Sequence, residues 1–405
     1  MHPPLMPACF QAANGMSNRR GRRHLAGTQM VGLCLFALCL AGCASPGINQ
    51  ARKQFYAGQL TEANAALAES DTGGGKDRVL VLMERGMIHH TAGEHAAATR
   101  DWLDAAGHIR QLDYVRLSEK TASMVINDRT ETYTGRPYER ALLHAFTAKS
   151  YFALGLLREA AVEARLIIDG FENLNGFPDD AYTRYIAGLA FEMIRDFNGS
   201  RIEYTQADKL NTAIHIDPAS GSITPAGDSV RQPSSATGDH ELVCLITIGR
   251  TPAYPAQSAN AFNTGWGLYP YAEIRQNGTP LGRSYTLNTT GNLAALTRKR
   301  IAAIKAAKTV TRIVIKDSIA DAVAENNPLL GEVMRLLLFA LEMPDTRQWQ
   351  TLPHWLQVAR VPYSPGNGPL EIVFRNASGR ILRRTPLAAP PVRGDNKHIA
   401  ILRVW

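Results

Sequence analysis

Cysteine is nearly absent from most of this chain. Four of its five cysteines, Cys9, Cys34, Cys39 and Cys43, fall in the first 43 residues, and Cys244 alone follows. If the leading segment is removed, no disulfide can form within the rest, even in an oxidising compartment. Cys244 lies in the apolar run Leu242-Val-Cys-Leu-Ile and reads as a small buried hydrophobe. Charge of one sign is also lacking. Residues 1–42 hold four arginines and no acidic residue, and without them 40 basic side chains face 36 acidic ones. That balance excludes the clustered basic face of a nucleic-acid binder. Catalytic signatures are missing too: there is no Gly-x-Ser-x-Gly, no His-Glu-x-x-His and no complete P-loop. Thr72-Gly-Gly-Gly-Lys-Asp77 places Asp77 where a P-loop needs Ser or Thr, so it reads as a loop between helices. His89, His90 and His95 read as packing or surface residues rather than a metal site. Nothing in the sequence asks for a cofactor.

What is present begins with an address. The basic cluster Arg19-Arg20-Gly-Arg22-Arg23 precedes an apolar run from Met30 to Leu40, which ends in Leu40-Ala41-Gly42-Cys43. The run is too short to span a bilayer and has the flanks of a cleaved signal. Basic region, short apolar region, small residues and cysteine together resemble a bacterial lipoprotein signal with its lipobox. That resemblance implies export, cleavage before Cys43 and acylation of Cys43, and several acyl chains give a stable anchor. Alanine at position 44, where aspartate usually marks inner-membrane retention, implies the outer membrane, with the body facing the periplasm. Met16 also opens a signal of normal length.

From residue 43 to 211 the pattern is helical and recurring. A turn position falls at Gly58, Gly93, Gly155 and Arg195, and a small residue follows five positions later, at Ala63, Ala98, Ala160 and Ser200. Glycine permits the left-handed conformation that closes a helix, and the small residue lets two antiparallel helices approach. The unit is similar to the tetratricopeptide repeat of 34 residues. The step from Gly58 to Gly93 fits it; the longer step from Gly93 to Gly155 predicts about one more hairpin inserted near residues 110–137. A solenoid of this kind offers a concave face for peptides or proteins.

Residues 212–239 are rich in Pro, Gly, Ser and Thr and read as a linker or mobile loop. Residues 240–405 read as an α+β domain. Strands are expected at 241–248, 268–275, 370–375, 380–384 and 398–405, the second carrying Pro270 and therefore suited to an edge. Residues 309–315 fit a strand or part of a helix. An apolar helix opened by Asn327-Pro328 is expected to run to Leu341. The fold class is thus multidomain: an all-α tetratricopeptide-like solenoid, then an α+β domain.

Three clusters are candidates for function. Gly265-Trp266-Gly-Leu-Tyr269-Pro-Tyr271 is an aromatic loop, either core or a contact surface for a partner, glycan or lipid headgroup. Tyr133-Thr-Gly-Arg136-Pro-Tyr138-Glu-Arg, with Tyr151 beyond it, lines the concave face or seals the insertion. Asp345-Thr-Arg347-Gln-Trp349, with Pro353 and Arg360, reads as a structural motif in which Asp345 pairs with Arg347 or Arg360 beside a buried Trp349. The lipobox, Tyr-x-Gly-x-Pro-Tyr-Glu-Arg and Asp-x-Arg-x-Trp-x-x-Leu-Pro together resemble a family of uncharacterised bacterial repeat-containing lipoproteins. The resemblance implies an outer-membrane scaffold or assembly factor for an envelope protein partner, joined to the membrane through its lipid. The alternatives are a glycan-binding module, or a cell-wall-processing enzyme drawing on Asp317, Asp321, Glu325 or Asp345.

Overall fold

A computed structural model describes residues 46–70, 75–118, 132–172, 177–227, 240–252, 266, 269–299 and 345–405. Its first part is eight helices: α1 Pro46–Tyr56, α2 Leu60–Ser70, α3 Arg78–Thr91, α4 His95–Ser118, α5 Pro137–Leu154, α6 Leu157–Glu172, α7 Ala181–Met193 and α8 Phe197–Leu210. They pair in order as four antiparallel hairpins, and each hairpin packs on the next. The recurring turn is visible in the backbone. Gly58, Gly93, Gly155 and Arg195 all have positive φ, at 80°, 82°, 76° and 65°. In every case the next residue's N–H reaches back five residues, as in Leu156 to the Tyr151 carbonyl at 2.9 Å and Asp196 to the Phe191 carbonyl at 2.9 Å. This bond captures a carbonyl that the helix end would leave unpaired. Ala63, Ala98, Ala160 and Ser200 are all buried in the hairpins. Gly86 serves close approach: a Cβ there would stand 2.3 Å from the Trp102 indole nitrogen.

Helix α4 packs directly on α5. The hairpin expected near 110–137 falls on a span of which 119–131 lie outside the described residues. Within the stretch expected as a linker, β1 (Ile214–Ile216) and β2 (Ile223–Pro225) pair as an antiparallel ribbon. Ile214, Ile216 and Ile223 are buried against the helices. Three isoleucines anchor what its Ser- and Gly-rich composition presented as loose chain.

The remaining strands are β3 His240–Ile248, β4 Tyr271–Gln276, β5 Thr279–Arg283, β6 Tyr285–Thr289, β7 Trp355–Tyr363, β8 Leu370–Arg375, β9 Ile381–Leu387, β10 Val392–Gly394 and β11 Lys397–Val404. One sheet has the order β10-β11-β3-β7-β6 and the other β5-β4-β8-β9. Strand β11 runs parallel to β3, and the other pairings are antiparallel. Residues 290–299 are helical.

The molecule is layered, because side chains on a strand alternate between its two faces. Val243, Leu245, Leu356, Val358 and Ile399 join the helical core. Leu242, Cys244, Ile246, Ala359, Val361, Ala400 and Leu402 face a second core with Ile274, Ile372 and Phe374 of the other sheet. Helices, first sheet and second sheet therefore stack in that order. This explains why β3 reads as an unbroken apolar run: both its faces are covered. The described residues form one compact unit.

Pro270 stands just before β4, which lies between β5 and β8, so the edge expectation fails. The proline ends outside the ladder and removes no bond from it. The stretches 309–315 and 327–341, with Asp317, Asp321 and Glu325, lie outside the described residues. Among the described residues no helix is long and apolar enough to cross a membrane.

Candidate functional site

Helices α1, α3 and α5 are the first members of the first three hairpins, and residues 345–353, an irregular segment that turns at 350–352, cross them. The local sequence prepares the crossing. Gly135 has φ 77°, Pro137 opens α5, and Glu139 caps it by accepting the Arg136 N–H at 2.8 Å. That box also leaves the second Glu139 oxygen to accept the Trp349 N–H at 3.0 Å. The hydroxyls of Tyr133 and Tyr138 donate to the same carboxylate. Burial pushes Glu139 above the usual carboxylate range, opposed chiefly by the Arg136 charge and these donors. Burial, reinforced by the Glu139 charge, raises both tyrosines well above their ordinary value.

A second buried carboxylate repeats the arrangement one hairpin away. Glu84 accepts the backbone N–H groups of Gln350 and Thr351 at 3.0 and 3.1 Å, and the Thr351 hydroxyl at 2.5 Å. Its counter-ion is Arg52, at 2.6 Å, which also donates to the Gln348 carbonyl at 2.5 Å. Tyr56 donates to the Gln350 carbonyl at 2.6 Å. Arg136 donates to the carbonyls of Asp345 and Arg347 at 2.8 and 3.2 Å. The helices thus hold mainly the main chain of this segment. Main-chain contacts fix register without demanding particular side chains.

Side chains are read as well, and the Gln348 amide donates to the Tyr138 hydroxyl at 3.0 Å. Trp349 is fully buried, with its ring centroid 6.1 Å from Trp102 and 6.2 Å from Phe146. Its indole N–H donates to the Thr351 hydroxyl at 3.0 Å. Arg347 pairs with Asp345 at 2.8 Å and with Asp77 at 2.8 Å, and its guanidinium lies 5.3 Å from the Tyr133 ring centre. The structure therefore brings the Tyr133–Arg140 motif and the Asp345–Pro353 motif into contact.

Several expected roles change. Tyr133, Arg136 and Tyr138, expected to line the concave face or seal the insertion, hold the chain's own segment. Arg360 does not pair with Asp345. It reaches Glu192 of α7 at 2.8 Å and Glu241 of β3 at 2.6 Å, because β7 carries it to the helical face of the first sheet. Trp266 is buried edge-on to Phe374, 5.5 Å between centroids, so it is core rather than a contact surface. Tyr271 lies under Arg283, whereas Tyr269 is exposed with φ 52°. Tyr151 is half-buried near Glu163 and Glu159, and burial with those charges raises its hydroxyl. Pro353 is buried, its carbonyl accepting Thr290 at 2.8 Å. Burial pushes the Cys244 thiol up to about 12, so it stays protonated and inert. Leu40, Ala41, Gly42 and Cys43 lie outside the described residues.

Residues 84 and 52 carry no motif, and sequence reasoning missed them. A signal was available: Glu84 ends the run Val79-Leu-Val-Leu-Met, and a lone carboxylate on an apolar helix requires a partner. His90 and His95 meet at Ser150 Oγ, at 2.7 and 3.4 Å. Among the described residues no group of three His, Cys, Asp or Glu side chains is placed to hold a metal.

The sequence matches no protein-family model and no curated protein. Among solved structures it is similar to a tetratricopeptide repeat protein from Parabacteroides merdae, at 14% identity over 41% of this chain and 52% of that one, with a TM-score of 0.29. The match spans about half the length of that protein. The chain is also similar to MamA residues 41 to the end from Desulfovibrio magneticus, at 14% identity over 40% of this chain and 72% of that one, with a TM-score of 0.28.

Proposed function

We propose that this protein is a lipid-anchored scaffold of the bacterial outer membrane, facing the periplasm and binding an envelope protein through its stacked tetratricopeptide-like hairpins. One observation carries the reading: four helical hairpins form a continuous stack, and its first three hairpins grip an irregular segment of the chain largely by its main chain. A surface built this way is suited to protein recognition. Residues 345–353 cover α1, α3 and α5 of the first three hairpins, so the partner engages surface outside that segment. The anchor reading rests on Leu40-Ala41-Gly42-Cys43. A tether raises effective concentration near membrane-bound partners.

The test is an in-cell crosslinking pull-down of the native chain beside Cys43→Ala. A specific envelope partner recovered with the native chain and lost with Cys43→Ala supports the reading. Recovery of the protein alone, or outer-membrane fractionation of Cys43→Ala like the native chain, overturns it.

A further inference from the structure

A cavity of about 420 Å³ opens between the end of α1, the chain just after β3 and the clamped segment, lined by Arg52, Lys53, Tyr56, Arg250, Thr251 and Gln350. Its size falls in the ~300–1,000 Å³ range of small-ligand sites. Its charge is unbalanced. The Glu84 carboxylate is taken up by Arg52 and by the main chain of Gln350 and Thr351. No carboxylate among the described residues pairs with Lys53 or Arg250. Arg250 instead lies 4.0 Å over the Tyr56 ring.

A third cation stands close by. Arg403 is partly buried, and loss of hydration brings its pKa down to about 10, with Tyr56 opposing and the Arg250 charge contributing. Its terminal nitrogens donate to the carbonyls of Gly249, Val404 and Thr351, and its Nε has no partner among the described residues. Thr251, at the cavity wall, is 7% exposed, and its hydroxyl also has no partner. Like charges held close together oppose each other. An anion accepting from these donors relieves that repulsion through charge-assisted bonds.

We propose that this cavity binds a phosphate group, held by Arg250 and Lys53, with the Thr251 hydroxyl donating to it and Arg403 supplying field from behind. Several cations around one hydroxyl donor suit the multiple charged oxygens of a phosphate better than a single carboxylate. The phosphate belongs either to a small soluble ester or to a phospholipid headgroup. The site stands independently of the scaffold reading.

The test uses the full-length protein in micelles of a neutral detergent. Calorimetric titration with glycerol 1-phosphate probes the soluble source. Micelles doped with phosphatidylglycerol, against diacylglycerol as the phosphate-free control, probe the lipid. Saturable binding of the ester assigns the soluble source; saturable binding of phosphatidylglycerol alone assigns the headgroup. Either must weaken about ten-fold or more in Arg250→Gln and Thr251→Val. Lys53→Gln is a third variant at an exposed helix position that leaves the fold untouched. Failure of both probes to bind, or native affinity in all three variants, overturns the proposal.

Discussion

Lys149 is wholly buried, its Nζ lies 4.5 Å over the Phe146 ring, and it has no hydrogen-bond partner. Burial, helped by the Arg403 charge, brings its pKa down from 10.5 to about 7. Between those values the unfolded chain binds the proton and the folded chain does not. Stability should therefore rise as pH goes from 7 to 10. Lys149→Met keeps the volume and removes the ammonium. It should stabilise the protein by about 1–3 kcal/mol at pH 7 and flatten that rise, as read by urea denaturation at several pH values. An unchanged pH profile would show that the amine is solvated. At this scale the Asp345–Arg347 pair was legible as one of two alternatives because its members stand two positions apart. The Arg360–Glu192 pair was not, because 168 residues do.

The four turns are the elements read best from sequence, since each depends on local backbone conformation. Arg195 occupies the left-handed position that the other three hairpins give to glycine. Its bond to Asp395 is on the exposed surface and adds little. Arg195→Gly should raise stability by about 1 kcal/mol, measurable as a higher denaturation midpoint; a fall would mean that the contact to Asp395 matters more than the backbone. The clamped segment is the opposite case. Trp349→Ala should cost about 3–5 kcal/mol, and a loss below 1 kcal/mol would show that the segment is only loosely held. Strand β7 escaped the sequence reading. Its buried Gln357 is matched by Ser284, Thr286 and the Pro270 carbonyl, all from distant chain, and its Pro362 falls where β6 no longer pairs with it. Alternation was masked by polar residues whose partners only the fold supplies.

Across the whole molecule, helices and first sheet are joined by charge as well as by their shared core. Burial alone would raise Glu192, but the charge and hydrogen bonds of Arg360, with Lys397 and Tyr204, bring it down to about 2. The unfolded carboxylate takes its proton near 4.5. This contribution is therefore present above that pH and lost as pH falls through 2. His354, which burial brings down to about 4, acts in the same direction, because the unfolded chain protonates it first. Thermal melts should show stability falling from pH 6.5 to pH 2. In Arg360→Met, which leaves Lys397 alone to offset Glu192 and Glu241, the molecule should lose about 3 kcal/mol at pH 7. A melt insensitive to pH over that range would remove this junction from the stability of the fold.

The filled groove is the point on which the functional reading turns, and photo-crosslinking in living cells tests it most directly. A photoreactive residue is placed at Phe197 or Ile202, which are 58% and 57% exposed on α8, or at buried Trp349 in the groove. Adducts to an envelope protein are expected from the exposed positions alone, with the Trp349 position crosslinking only within its own chain. An envelope adduct formed at position 349 would mean that the segment leaves the groove to admit a partner, and would contradict a permanently self-occupied site.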